Sequence, residues 1–303
     1  MGKEVIMRGA IIDLGTNTFN LIVFEKNVSG LRKTLTSYKH PVNLGMGGIN
    51  EKIISPDAEH RAFLALEDFL NTCRKFKVEK IAAFGTSALR DARNTPEFVE
   101  KAKELFGIDI QVISGMEEAR LIFEGVRSVH KFSAPSCIMD IGGGSTEFIF
   151  VDQKGITGQG SFDIGVSRVI QQYDLTDPLS DEDITVITTF FDRVSQDYFK
   201  DKQATELIGA SGSFETFYEM VTGNEASTTR SLKIPFKELH QALDYLIFSS
   251  TDQRKENNRI PEFRVPMIHV AALKTKWIME KLKIKQCSIS PASLKEGAME
   301  TLF

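Results

Sequence analysis

Two apolar runs of the chain are interrupted by the same kind of turn. Ile11, Ile12 and Leu14 flank Asp13 and lead into Gly15-Thr16-Asn17-Thr18, after which apolar residues resume at Leu21-Ile22-Val23-Phe24. Ile138, Met139 and Ile141 flank Asp140 and lead into Gly142-Gly143-Gly144-Ser145, and apolar residues resume at Phe148-Ile149-Phe150-Val151. Short continuous apolar runs bounded by turn residues predict buried strands, so each unit reads as a β-hairpin. Between and after the hairpins the period lengthens to that of helices. Ser55-Pro56 opens a helix with Ala62, Leu66, Phe69, Leu70 and Cys73 on one face. A strand Lys80–Phe84 ends at Gly85, with Thr86 or Ser87 capping the next segment. Thr95-Pro96 caps a helix that stops near Gly107. A strand Ile110–Ile113 precedes a helix from Met116, and a domain boundary is expected near Gly125. The second half repeats this alternation, with a helix capped by Ser180, a strand at Leu207-Ile208, an amphipathic helix through Ile268, Ala271, Thr275, Ile278 and Leu282, and a short strand Cys287–Ile289. Strands mixed with helices in two similar halves predict a duplicated α/β fold.

The repeated turn carries chemistry. Glycine lets a ligand approach the backbone, turn N–H groups and hydroxyls grip phosphate oxygens, and a strand-end carboxylate can hold a divalent cation. One Asp-x-Gly turn is an ordinary hairpin; two with the same order of residue types predict two half-sites facing each other across a cleft. Neither turn reads G-x-x-x-x-G-K-[ST], and neither reads G-x-G-x-x-G opening a helix.

Composition narrows the picture. The 303 residues suit two domains, and a 42% hydrophobic content suffices for their cores. No apolar run approaches the roughly 20 residues of a membrane span, and the N-terminus has no signal-peptide pattern. Cys73, Cys137 and Cys287 have no zinc or disulfide spacing, which predicts reduced thiols in the cytoplasm. A net charge of −4 leaves attraction of an anionic substrate to local Lys and Arg. Lys233, Arg254, Lys255, Arg259, Arg264 and Lys274 could line a path for a polyanion, although most such residues belong to solvated faces. The five histidines form no spaced cluster, and no basic-aromatic pattern argues for nucleic acid.

Five motifs in order carry a family resemblance: Asp13-Leu14-Gly15-Thr16-Asn17-Thr18, Gly85-Thr86-Ser87-Ala88-Leu89-Arg90-Asp91-Ala92, Ile113-Ser114-Gly115-Met116-Glu117-Glu118-Ala119-Arg120, Asp140-Ile141-Gly142-Gly143-Gly144-Ser145-Thr146-Glu147 and Gly209-Ala210-Ser211-Gly212-Ser213. With them the chain resembles the exopolyphosphatase / guanosine pentaphosphate phosphatase family, in its short two-domain form. The resemblance implies two ribonuclease-H-like domains of the actin, Hsp70 and sugar-kinase superfamily with an interdomain cleft. The domains would span 1–125 and 126–292, and a final helix over about 293–303 would pack back on the first. The chain departs from the family at Thr16 and Thr18, where serine is usual, and at Pro291.

Roles follow from the resemblance and the residues together. Glu118 matches the family's catalytic glutamate and is the expected general base; spacing alone leaves Glu117 and Glu118 equally open to a helix-dipole role. Asp140 and Glu147, with Asp13 as a weaker third, are the expected partners of Mg²⁺, with Mn²⁺ an alternative. For Asp13, bonding to turn N–H groups is an equal reading. Gly15, Thr16, Asn17, Thr18, Gly142, Gly143, Gly144, Ser145 and Thr146 are expected to bind phosphate. Arg90 would add a guanidinium unless it spends it in an ion pair. Ser211, Gly212 and Ser213 would grip phosphate or only pack a helix start. The implied activity is metal-dependent removal of terminal phosphate from inorganic polyphosphate. The alternatives are guanosine pentaphosphate 5'-phosphohydrolase, a non-catalytic alarmone- or nucleotide-binding regulator, and, on superfold grounds alone, a sugar kinase. No nucleic-acid or membrane partner is expected; a homodimer is the family's habit.

Overall fold

The structure, a computed structural model, describes residues 5–303. They divide into two compact units, residues 5–125 with Leu294–Phe303, and Val126–Ser293.

The first unit contains the strands β1 (Val5–Leu14), β2 (Phe19–Asn27), β3 (Arg32–His40), β4 (Lys80–Gly85) and β5 (Ile110–Val112). Its helices are α1 (Pro56–Lys75), α2 (Ser87–Asp91), α3 (Thr95–Phe106) and α4 (Gly115–Val129), inside which the unit boundary falls. The sheet order is β3-β2-β1-β4-β5. β1, β2 and β3 form an antiparallel meander, and β4 and β5 join in parallel. Ala10, Ile11, Ile12 and Leu14 are all fully buried, which explains an apolar run without alternation: the strand is covered on both faces. The Ser55 hydroxyl caps α1 by accepting from the Ala58 N–H, and Pro56 fills a position where no N–H is needed. α3 ends at Gly107, whose φ of 68° is the left-handed conformation glycine adopts at little cost. Thr95 is not its cap: Asn94 occupies that position, and the Thr95 hydroxyl donates to the Leu89 carbonyl.

The second unit contains β6 (Ser136–Ile141), β7 (Thr146–Asp152), β8 (Gly155–Phe162), β9 (Glu206–Gly209), β10 (Leu232–Ile234) and β11 (Gln286–Ile289). Its helices are α5 (Val166–Gln172), α6 (Asp181–Ser195), α7 (Gly212–Thr222), α8 (Phe236–Phe248), α9 (Thr251–Glu256) and α10 (Ile268–Lys281). The sheet order is β10-β11-β9-β6-β7-β8. β6, β7 and β8 again form an antiparallel meander, and β9 and β11 again add in parallel. The duplication read in two short motifs therefore extends to the topology of both sheets. Ser180 and Asp183 form a reciprocal capping box at the start of α6. α10 differs from the amphipathic helix expected. Val270, Leu273, Trp277, His269 and Lys274 are buried along with the anticipated stripe, because α5, α6, α7 and α8 all pack against it.

The last helix, α11 (Leu294–Leu302), packs on β1 and β2 of the first unit. Gly297 makes its approach to α4 possible: a Cβ there would lie 1.8 Å from the Leu121 carbonyl oxygen and 2.8 Å from the Gly125 nitrogen. Both obstacles are backbone, so they cannot swing aside. Gly297→Ala is expected to cost about 1–3 kcal/mol by overpacking, read as a lower urea midpoint. An unchanged midpoint would mean that α11 does not seat as described.

Candidate functional site

The first Asp-x-Gly turn joins β1 to β2. The Gly15 N–H donates to the Thr18 carbonyl at 3.2 Å and closes it; a Cβ on Gly15 would sit 2.7 Å from that same oxygen. The carbonyls of Thr16 and Asn17 are taken by the segment after β3: Gly45 N–H donates to Thr16 at 3.1 Å and Asn43 N–H to Asn17 at 2.8 Å. Asp13 stands opposite Asn20 in the register, and its Oδ2 accepts from Asn20 Nδ2 at 2.9 Å. Burial pushes the Asp13 carboxyl up to about 6, partly offset by Asn20 and by Lys295; Glu296 pushes it further up. Lys295 and Glu296 form a 2.9 Å ion pair of their own.

The second turn joins β6 to β7 and is held more completely. Gly142 N–H donates to the Ser145 carbonyl at 3.1 Å. The Gly142 carbonyl accepts from Val166 N–H, the Gly143 carbonyl from Ser167 and Arg168 N–H, and the Gly144 carbonyl from Gly165 N–H, all within 2.9–3.2 Å. Arg168 Nε adds a bond to Gly144 O at 3.0 Å. Across a trans peptide the N–H points opposite to the C=O. The N–H groups of Gly143, Gly144 and Ser145 are therefore turned away from α5, the orientation an anion-binding turn requires. Gly165 permits this contact, since a Cβ on it would sit 2.2 Å from the Gly143 oxygen.

Asp140 and Glu147 are direct cross-strand partners, so their side chains leave the same face of the sheet. Asp140 Oδ2 accepts from Ser293 Oγ at 2.7 Å. Glu147 is only 1% exposed, and its Oε1 accepts from both Ser145 and Ser161 hydroxyls at 2.7 Å. Behind it lies Lys274, fully buried, donating to Thr146 Oγ1 at 2.9 Å and to the Ile164 carbonyl. Burial pushes the Lys274 ammonium down to about 7, with Glu147 pulling it upward.

The two glutamates of α4 have different surroundings. Glu117 is half-buried and tied to Arg120 by two bonds of 2.9 and 2.8 Å, which hold its carboxyl below the usual range. Glu118 is 8% exposed, and its Oε2 accepts from Arg90 Nη1 at 3.0 Å. Arg90 Nη1 also donates to the Ile113 carbonyl at 3.2 Å. The guanidinium expected to bind phosphate is thus engaged with the expected base. In the Gly209–Ser213 stretch, Ser211 precedes α7, and Gly212 makes room for Arg264, which bonds Glu215 at 3.0 Å and Thr216 at 2.9 Å.

Of the cations considered for a polyanion path, Lys233, Lys255 and Arg259 are exposed. Arg254 is 1% exposed and is spent on Asp177 at 2.7 Å and on the Val265 carbonyl at 3.2 Å. With Lys274 it leaves that set. Ser293, Arg168 and Lys295 carry no site signal in the sequence, and Lys274 only that of a candidate for the polyanion path. Lys274, in the run Val270-Ala271-Ala272-Leu273-Lys274, gave a usable signal, a lone cation in an apolar stretch. Among the described residues no three Asp, Glu, His or Cys side chains converge as a metal cage. Mg²⁺ commonly takes one or two carboxylates and completes its shell with phosphate oxygens and water, so Asp140 with Glu147 behind it suits such an ion. No helix among the described residues is long and apolar enough to cross a membrane.

A model of the Ppx/GppA phosphatase family matches residues 22–302. An exopolyphosphatase from Cytophaga hutchinsonii is 32% identical, with 97% of each chain covered and a TM-score of 0.93. A Ppx/GppA protein of Aquifex aeolicus shares the fold at 21% identity over 98% of this chain and 97% of its own, with a TM-score of 0.80. A guanosine-5'-triphosphate,3'-diphosphate pyrophosphatase of Pseudoalteromonas translucida is 26% identical over 97% of this chain, which spans 59% of that relative's length.

The raised Asp13 carboxyl has a consequence for stability. The folded chain holds that proton up to about pH 6 and the unfolded chain only to about 3.8, so folding takes up a proton between these values. The stability Asp13 contributes below pH 3.8 is lost as the pH rises through 6. Asp13→Asn keeps an acceptor for Asn20 and cannot ionise. It is expected to be more stable than the parent at pH 8 by on the order of 1–2 kcal/mol, and no more stable at pH 3.5. Urea unfolding of the metal-free protein at the two pH values checks this; an equal difference at both would contradict it.

Proposed function

We propose that this chain, which belongs to the Ppx/GppA phosphatase family, hydrolyses phosphoanhydride bonds and releases terminal phosphate from inorganic polyphosphate. The observation that carries the reading is the second turn, where every carbonyl from Gly142 to Gly144 is tied back toward α5 and Asp140 and Glu147 share a face. A terminal phosphate offers oxygens for the N–H groups so presented; the Ser145 hydroxyl, which donates to Glu147, and the buried Thr146 hydroxyl, which accepts from Lys274, hold the turn from behind. The first turn, Gly15–Thr18, supplies the same chemistry in its own unit. Polyphosphate ranks first because the Cytophaga hutchinsonii exopolyphosphatase is similar over nearly the whole chain. Guanosine pentaphosphate is the second reading, favoured by the Pseudoalteromonas translucida relative.

Asp140 is the side chain that would hold Mg²⁺ directly; Glu147, wrapped by two serine hydroxyls, would act behind it. When bound, the ion would neutralise charge on phosphate oxygens. Mn²⁺ is served by the same oxygen donors. Glu118 is the general base: it accepts the proton of the attacking water, and Arg90 fixes its carboxylate in one orientation. Glu117, spent on Arg120, supports the start of α4. Buried free thiols at Cys73, Cys137 and Cys287 agree with a reducing, cytoplasmic setting.

Phosphate release should be measured from long polyphosphate, short polyphosphate, guanosine pentaphosphate and ATP. Release from polyphosphate that stops in excess chelator and returns with Mg²⁺ is expected; full activity in chelator would exclude the metal role. Release from pentaphosphate alone would promote the second reading. Glu118→Gln is expected to lower kcat by about 10²–10⁴-fold with substrate affinity and Tm held, whereas Glu117→Gln loses little. Exchanged phenotypes would reassign the base, and two active variants would end this account of α4.

A further inference from the structure

Lys274 is the most costly side chain in the second unit to explain by packing alone. It is fully buried in a helix whose neighbours are apolar, with its Nζ 5.2 Å from the centre of the Phe191 ring. Removing an ammonium from water is unfavourable unless its partners offset the loss. Its binding partners are therefore informative. Nζ donates to Thr146 Oγ1, the last hydroxyl of the Gly142–Thr146 turn, and to the carbonyl of Ile164. Ile164 immediately precedes Gly165, whose N–H begins the set that takes the turn's carbonyl oxygens. One ammonium thus joins the turn to the segment that orients it. Glu147, adjacent to Thr146, is its electrostatic counterpart. The joint needs no exposed surface.

We infer that Lys274 is a positioning residue for the phosphate-binding turn: by bonding Thr146 and Ile164 together it keeps the carbonyls of Gly142–Gly144 seated on residues 165–168 and their amides presented. The inference rests on reading that turn as a phosphate grip. A merely structural lysine would stabilise the whole unit; a positioning lysine controls one turn and the rate that depends on it. A misplacement of about 1 Å in such an element costs on the order of 10²-fold in rate.

The test compares Lys274→Met with the parent by hydrogen exchange, kcat, KM and Tm. Exchange is expected to accelerate about ten-fold or more in peptides covering 142–147 and 163–168 and to stay unchanged in β9 and β11. In the same variant kcat falls about ten- to hundred-fold. Thr146→Val, which removes the shared hydroxyl without touching the lysine, serves if Lys274→Met does not fold, and should loosen 142–147 alike. The double variant should lose no more kcat than the worse single one, because both break the same joint. Unchanged exchange in the turn, or a uniform rise across the unit with a lower Tm, overturns the inference whatever the activity. Local loosening in a protein whose parent releases no phosphate from any substrate would leave the positioning role standing and remove the phosphohydrolase reading instead.

Discussion

The constraint on which the rest depends is the seating of turn carbonyls on neighbouring backbone. A glycine-rich turn is soft, and left alone it would present carbonyl oxygens and amides to a ligand in turn. Here the segment after the third strand of each meander removes the choice. In the second unit residues 165–168 take the oxygens of Gly142, Gly143 and Gly144. In the first, Asn43 and Gly45 take those of Asn17 and Thr16. The two segments are unlike in sequence and follow equivalent strands, β8 and β3. The duplication therefore preserves a physical device as well as a topology.

The buried charges sort by what they hold. Lys274 and Arg168 bond the second turn or its partner segment, and the half-buried Arg90 bonds the carboxylate of the buried Glu118. Arg254 is equally buried but holds only Asp177, Thr251 and backbone carbonyls of its own region, which makes it a strut. Buried ionic groups add little net stability compared with well-packed apolar residues. Their concentration around the glycine turn and around Glu118 is what a site needing fixed polar geometry demands.

Much of this was legible in residue order. The hairpins show because each apolar run is covered on both faces and broken by turn residues. α1 and α6 show because Ser55 and Ser180 cap them, and β4 and α3 because Gly85 and Gly107 end them. β8, with three glycines in Gly155–Phe162, and the three-residue β10 carry no comparable pattern. The site was less legible. For Arg90 both a phosphate contact and an ion pair are open in the sequence, and no spacing reveals that Ile113 and Glu118 come within reach of its guanidinium. Lys274 stands in the sequence among cations for a polyanion path or a solvated face, because helix periodicity cannot show that four other helices pack against α10. Ser293 became visible only through its bond to Asp140, 153 positions away.

The central claim is that water, its proton accepted by Glu118, attacks the terminal phosphate of the polymer. Following the fate of the water oxygen tests it most directly. With polyphosphate in water labelled with the heavy oxygen isotope, the account predicts that each released phosphate carries one labelled oxygen and the shortened polymer carries none. Label in the remaining polymer, or phosphate leaving the chain only when a nucleotide or sugar acceptor is added, would contradict it.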